Sequence, residues 1–225
     1  MKTAVIAGAT GLTGQYLFNM LSEDDRYSSI ILLGRNSPGQ LNEKSTFIKT
    51  SFEDIDQVKL SNPVDELFCC LGTTIKKAGS QEAFRTVDFD AVVELGKWAA
   101  QYPTCRFVVI SSVGANPASS NFYLRTKGQM ENTLKQLKLH SLIILRPSLL
   151  MGHRKEFRLG ERIAQIIMPA IAFLFIGKLK KYRPVKASLV AKVMIELAQS
   201  KFGDTYIIES DEINKFQLEN DSSKK

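Results

Sequence analysis

The sequence predicts an α/β protein: a Rossmann-like, doubly wound parallel sheet with helices on both faces and a small C-terminal lobe. Three observations predict it. Short β-rich runs alternate with helical patterns along the chain. The first run leads directly into a glycine-rich turn and then a helix. A later run, Arg106–Ile110, ends in two serines, and sheets of this kind bind their ligands at the strands' carboxyl ends.

A length of 225 residues suits one domain, 1–225, in which about 147–203 contribute the small lobe. The hydrophobic share, 44%, is enough for a full core. Three cysteines, with Cys69 and Cys70 adjacent, match neither a disulfide framework nor a metal-ligand spacing. The start, MKTAVIAGATG, meets glycines too early for a signal-peptide core, so a reducing, cytoplasmic setting is expected. The longest apolar run, 163–176, is about 14 residues and contains Pro169, which is short of the roughly 20 that span a bilayer. It reads as a buried or interface helix, compatible with a monomer or a homodimer.

The net charge of +7 gathers in Lys178–Lys186 (KLKKYRPVK) and at Lys224 and Lys225. No aromatic-basic interleaving accompanies it, so no nucleic-acid partner is expected. A basic surface, or a lobe that meets an anionic small-molecule substrate, accounts for it.

Lys2–Ala7 (KTAVIA) is a central strand. Gly8, Gly11 and Gly14 follow in GATGLTG, then a helical pattern over Gln15–Leu21. Glycines there permit a tight turn and close backbone approach to a pyrophosphate, which rests on the free N–H groups of the helix start. Ser29–Leu33 is the second strand and ends in Gly34-Arg35-Asn36. An NAD site places a carboxylate about 20 residues on, for the ribose 2′-hydroxyl. Here Arg35 stands instead, and a guanidinium suits a 2′-phosphate, so the expected cofactor is NADP(H).

Thr46–Lys49 is the third strand, followed by Ser51 and Phe52 where an adenine could rest. Glu66–Leu71 is the fourth and ends in Gly72. Gln81–Gln101 reads as one long helix, His140–Leu145 as the sixth strand, and Leu149–Arg158 as a loop above the site. Ala187–Leu197 is helical, Thr205–Ile208 a last strand, and the polar stretch 214–225 a frayed tail.

The serine-tipped strand precedes a helix, Tyr123–Leu137, that carries Tyr123 and Lys127 four positions apart on one face. A serine hydroxyl, a phenol and an ammonium at a strand's carboxyl end suit proton transfer to or from a carbonyl oxygen. A free phenol titrates near 10; a neighbouring ammonium and an oxidised nicotinamide favour its ionised form. YxxxK is a cheap pattern, and a second copy stands at Tyr182–Lys186. That copy contains Pro184, which disfavours the helix needed to align the pair, and no serine-tipped strand precedes it. Ser112 is the serine candidate, with Ser111 as the alternative one position earlier.

At these residues the chain resembles an atypical short-chain dehydrogenase/reductase, and more narrowly the Tat-interacting-protein family of NADPH-binding oxidoreductases. GATGLTG, LLGR, CCLGTT (69–74), KAGS (77–80), VDFDAV (87–92), SSNFYLRTKGQME (119–131) and RPSLLMGHRKEFRLGE (146–161) carry the resemblance over nearly the full length. It implies cofactor phosphates on Thr10, Gly11, Leu12 and Thr13, and the 2′-phosphate on Arg35 and Asn36. Leu71 and Gly72 then flank the adenosine half, and Leu150 and Arg158 reach the cofactor from the loop after the sixth strand. It further implies Tyr123 as proton donor or acceptor and Lys127 on the nicotinamide ribose. Where related enzymes carry a relay asparagine, this chain has Asp88. The expected activity is hydride transfer to or from a small carbonyl or alcohol. The alternatives are a cofactor-binding regulatory protein with little turnover and a sugar-nucleotide epimerase or dehydratase.

Overall fold

Successive residues of the first strand face opposite sides of the sheet, and both sides are covered. Ala4 and Ile6 join a core with Leu17, Leu21, Val190 and Met194; Val5 and Ala7 join a second core with Val92, Leu95 and Trp98. A strand buried on both faces reads as an unbroken apolar run, which is why KTAVIA shows no alternation.

The computed structural model describes residues 1–152, 177–200 and 204–222. In chain order the elements are β1 (Lys2–Ala7), α1 (Leu12–Glu23), β2 (Tyr27–Gly34), β3 (Ser45–Lys49), β4 (Glu66–Cys69), α2 (Ile75–Ala78) and α3 (Gln81–Arg85). A π-helical segment (Thr86–Asp90) leads into α4 (Ala91–Ala99), β5 (Arg106–Ile110), α5 (Phe122–Lys135) and β6 (Ser141–Arg146). Then come β7 (Leu150–Met151), β8 (Val185–Lys186), α6 (Ala187–Gln199), β9 (Asp204–Glu209) and α7 (Ser210–Ser222). The main sheet has the order β3-β2-β1-β4-β5-β6-β9, with every pairing parallel. From β1 the chain winds outward to β2 and β3, then returns to build the other half from β4. The crevice between those halves, at the carboxyl ends of β1 and β4, is the ligand position of this topology.

Three expectations change. The helix expected over 81–101 is three pieces, with the π turn inserted at Thr86–Asp90. Within the expected loop, Leu150 and Met151 pair with Val185 and Lys186, so part of it is a two-stranded ribbon. The tail expected to fray from Asn214 is helical through Ser222, because Ile213 is buried and Phe216 packs on the first core. The second YxxxK does not lie on one helix: Tyr182 ends a 3-10 turn and Lys186 is in β8. The run 163–176 lies outside the described residues.

At the opposite end of the strands from the crevice, Glu66 is fully buried and fully engaged. It accepts from Lys2 Nζ at 2.6 Å, Tyr27 OH at 2.5 Å and Gln199 Nε2 at 3.0 Å. A buried carboxylate persists only when paired in this way. The network joins β1, β2, β4 and α6 at the end remote from the crevice. Among the described residues, no helix is long and apolar enough to cross a membrane.

Candidate functional site

The turn between β1 and α1 is built by close backbone approach. Gly8 has φ +87, and a Cβ there would meet the Cys70 carbonyl at 2.8 Å, so β4's end presses directly on the turn. A Cβ on Gly14 would lie 2.2 Å from the Gly8 oxygen. Gly11 caps α1 without a side-chain hydrogen bond, and the first turn holds no acidic residue. Free N–H groups and the positive dipole end are therefore left for an anion. Thr13 is 4% exposed, and its Oγ1 has no hydrogen-bond partner among the described residues. Buried hydroxyls are almost always paired, so this one fits a group that binds at the turn.

Beside the turn lies a cavity of about 360 Å³. Gly8, Thr10, Arg35, Asn36 and Leu71 line it, as do Ser51, Phe52, Thr86 and Val87. Arg35 is exposed at the end of β2, and among the described residues no carboxylate pairs with it. The glycine turn, the unpartnered hydroxyl and the free guanidinium together fit a phosphate-bearing dinucleotide.

On the far side of the π segment stands the polar set. Asn121 caps α5 by accepting from Leu124 N at 3.1 Å, which fixes the start of the helix at Phe122. Tyr123 is half-buried, with its ring 5.6 Å from that of the buried Phe84. Lys127 is 3% exposed; its Nζ forms an ion pair with Asp88 Oδ1 at 2.8 Å and donates to the Ile110 carbonyl at 3.4 Å. Burial works against the Lys127 ammonium, but the Asp88 carboxylate, with Tyr123 adding to it, outweighs burial and holds its pKa above the usual lysine value. Asp88 Oδ2 accepts from Thr73 N at 2.8 Å, so the same carboxylate fixes the loop after β4.

The two serines diverge. Ser111 is buried and its hydroxyl donates to Glu131 Oε1 at 2.5 Å. Glu131, 1% exposed, also takes Arg146 Nε at 3.0 Å and Nη2 at 2.6 Å, while Arg146 Nη1 reaches Glu209 at 2.8 Å. The hydrogen bond to Glu131 raises the Arg146 pKa against the opposing effect of burial, and Glu209 adds to it. Ser112 is half-exposed with a long 3.4 Å contact to the Val113 carbonyl, so its hydroxyl remains available. Sequence reasoning missed Glu131, although Tyr123, Lys127 and Glu131 recur every four residues along one stripe of α5.

Gly8, Thr10, Gly11, Leu12, Thr13 and Gly14 thus form the turn; Arg35 and Asn36 the β2 edge; Leu71 and Gly72 the β4 edge. Ser112, Tyr123 and Lys127 stand across the Asp88 segment rather than in the 360 Å³ cavity itself. Leu150 lies in β7, whose following Gly152 would place a Cβ 2.9 Å from Leu12, so this segment rests on the turn. Arg158 and His153 lie outside the described residues. Thr86 and Val87 line the cavity without having been expected there.

The chain is similar to several known proteins. A protein named FMP52, mitochondrial, from Candida albicans is 36% identical over 202 residues, covering 86% of each chain. HTATIP2 of Rattus norvegicus is 33% identical over 175 residues, 73% of this chain and 69% of that one. Among solved structures, a UDP-N-acetylglucosamine 4-epimerase from Methanobrevibacter ruminantium, in complex with UDP-N-acetylmuramic acid, superposes with a TM-score of 0.69 at 19% identity. That likeness covers 100% of this chain and 83% of the other. WbmH of Bordetella bronchiseptica in complex with NAD+ gives 0.69 at 15% identity, covering 93% and 76%. These structural likenesses establish the Rossmann-like fold.

The cytoplasmic expectation is corrected by the relatives, several of which are named mitochondrial. Cysteine usage does not distinguish one reducing compartment from another. The family model described as HIM1 matches residues 33–186, more than half of the chain, and with the similarity to HTATIP2 it shows that the chain belongs to the HIM1 family.

Proposed function

We propose that the chain is an NADPH-dependent oxidoreductase acting on a small carbonyl or alcohol substrate. The observation that carries this reading is the buried, charged Lys127 beneath Tyr123 at the carboxyl end of β5, beside a glycine turn with an unpartnered Thr13 hydroxyl. The α1 N-terminus, Thr13 and the glycine backbone hold the pyrophosphate. Arg35, with Asn36, holds the 2′-phosphate and selects NADP(H) over NAD(H). Leu71 and Gly72 flank the adenosine, and Leu150 completes the cofactor contacts from β7. The bound complexes among the structural neighbours, several with NAD, support a nicotinamide dinucleotide in this crevice.

The bound cofactor supplies a hydride to a carbonyl carbon, or accepts one from an alcohol carbon. Tyr123 gives the proton that the carbonyl oxygen needs on reduction and takes it back on oxidation. Ser112 donates a hydrogen bond to that oxygen and orients it. Lys127 holds the nicotinamide ribose. The names of the fungal relatives support a mitochondrial setting.

Two measurements test this. Thermal stabilisation at equal concentrations is expected to be larger with NADPH than with NADH. With a carbonyl substrate found by screening, Tyr123→Phe is expected to lower kcat by about 100-fold or more while NADPH still binds. Unchanged turnover in that variant sinks the proposed mechanism.

A further inference from the structure

Asp88 is 1% exposed, and the π turn carries it between the cavity and α5. Its neighbours Thr86 and Val87 line the cavity, while its own carboxylate points to the other side. There one oxygen meets Lys127 Nζ at 2.8 Å and the other takes the Thr73 N–H at 2.8 Å. Both oxygens are thus used, one by an ammonium and one by backbone. An asparagine would fill the same volume and still accept from Thr73, but it would bring no charge.

We propose that Asp88 is a positioning residue: the counter-ion that keeps Lys127 a charged, fixed donor in a pocket whose dryness favours the neutral amine, while tying that lysine to the loop at 71–74. The use made of the lysine rests on the oxidoreductase reading. The ion pair itself belongs to the protein without any ligand.

Lys127 is enclosed, and burying a lone ammonium expels its proton. The groups that face it from the surrounding elements are few. Cys69 faces it from β4 and Tyr123 from its own helix. At the tip of β5 the Ser111 hydroxyl is turned to Glu131, whose charge is met by Arg146. Arg85 of α3 is engaged by Gln129 and stacks on Phe89. Among the described residues, Asp88 is therefore the one carboxylate that forms an ion pair with Lys127. A fixed lysine charge next to Tyr123 is what the proposed chemistry uses, and the same carboxylate transmits the position of the 71–74 loop to it.

The test follows the ¹³Cε resonance of Lys127 with pH in lysine-labelled protein, identified by its absence in Lys127→Met. In the wild-type protein this resonance is expected to keep its ammonium position beyond the pH, about 10.4, at which solvated lysines titrate. In Asp88→Asn its midpoint is expected to fall by at least one pH unit. Identical midpoints in the two proteins overturn the proposal. So does a wild-type Lys127 that titrates with or below the solvated lysines, a result that holds even where Asp88→Asn does not fold. NADPH titrations run in parallel separate the two ideas. An unshifted lysine with NADPH bound refutes the counter-ion alone; a shifted lysine without NADPH binding refutes the oxidoreductase reading alone.

Discussion

Glu131→Leu removes the centre of the network that joins α5 to the ends of β5, β6 and β9. The carboxylate is 1% exposed and takes one hydrogen bond from Ser111 and two from Arg146. Breaking a buried ion pair by removing one partner costs about 3–5 kcal/mol. Arg146 keeps Glu209 and its side chain is 20% exposed, so the charge it retains is partly compensated, and the lower end of that range applies. The stranded Ser111 hydroxyl adds about 1 kcal/mol. The sum is about 4 kcal/mol, which for a domain of this size lowers Tm by roughly 8–16 °C. Denaturant and thermal unfolding of Glu131→Leu, Arg146→Met and the double variant give the answer. The double variant is expected to recover at least half of the loss, because an apolar pair of similar volume has no buried charge to desolvate. A single variant within about 1 kcal/mol of wild type, or a double variant no more stable than Glu131→Leu, would refute the reasoning.

Thr13→Val deletes a hydroxyl with no partner among the described residues. It is expected to leave the ligand-free Tm nearly unchanged and to weaken NADPH binding about tenfold, read by nucleotide fluorescence titration. Arg35→Ala removes an exposed cation with no carboxylate partner among the described residues, so stability holds. NADPH affinity is expected to fall about tenfold or more while NADH affinity stays within about twofold, and an equal loss for both contradicts a 2′-phosphate role. Burial pushes the Cys69 and Cys105 thiols from 9.0 up to about 12. At pH 8 each carries roughly a thousandfold less thiolate than in the unfolded chain, so native iodoacetamide labelling is expected to be correspondingly slow. Because the folded values are raised, this contribution to stability is intact below about 9 and is lost as pH climbs from there towards about 12.

The glycine turn and the strand alternation were legible because they are local: a strand, three glycines at fixed spacing and a helix dictate one geometry. The Ser–Tyr–Lys set was legible as a group for the same reason. Which serine hydroxyl is engaged within the protein was not, because β5 is covered on both faces and its sequence shows no alternation. Ser111 is claimed by Glu131, 20 positions later, and only the tertiary fold reveals that pairing. The polarity of 214–225 concealed α7, whose two anchoring residues are spaced three apart in an otherwise hydrophilic segment. The name of a compartment is not written in local chemistry, and the expectation of cytoplasm failed there.

The π turn at Thr86–Asp90 has a consequence for how this scaffold tolerates change in length. In an ideal helix, Phe84 and Trp98, 14 positions apart, lie within about 40° of each other. The wide turn rotates them roughly a further 90° apart. Phe84 can therefore wall Tyr123 while Trp98 donates to the Val58 carbonyl at 2.8 Å beneath the sheet. The extra residue acts as a phase adjuster between two helical faces. Deleting one residue from 86–90 would restore a regular helix, yet it would swing the tyrosine's aromatic wall and the tryptophan's anchor out of register with each other. A single-residue gap, harmless in a surface loop, is here a change of gearing between the cofactor crevice and the core.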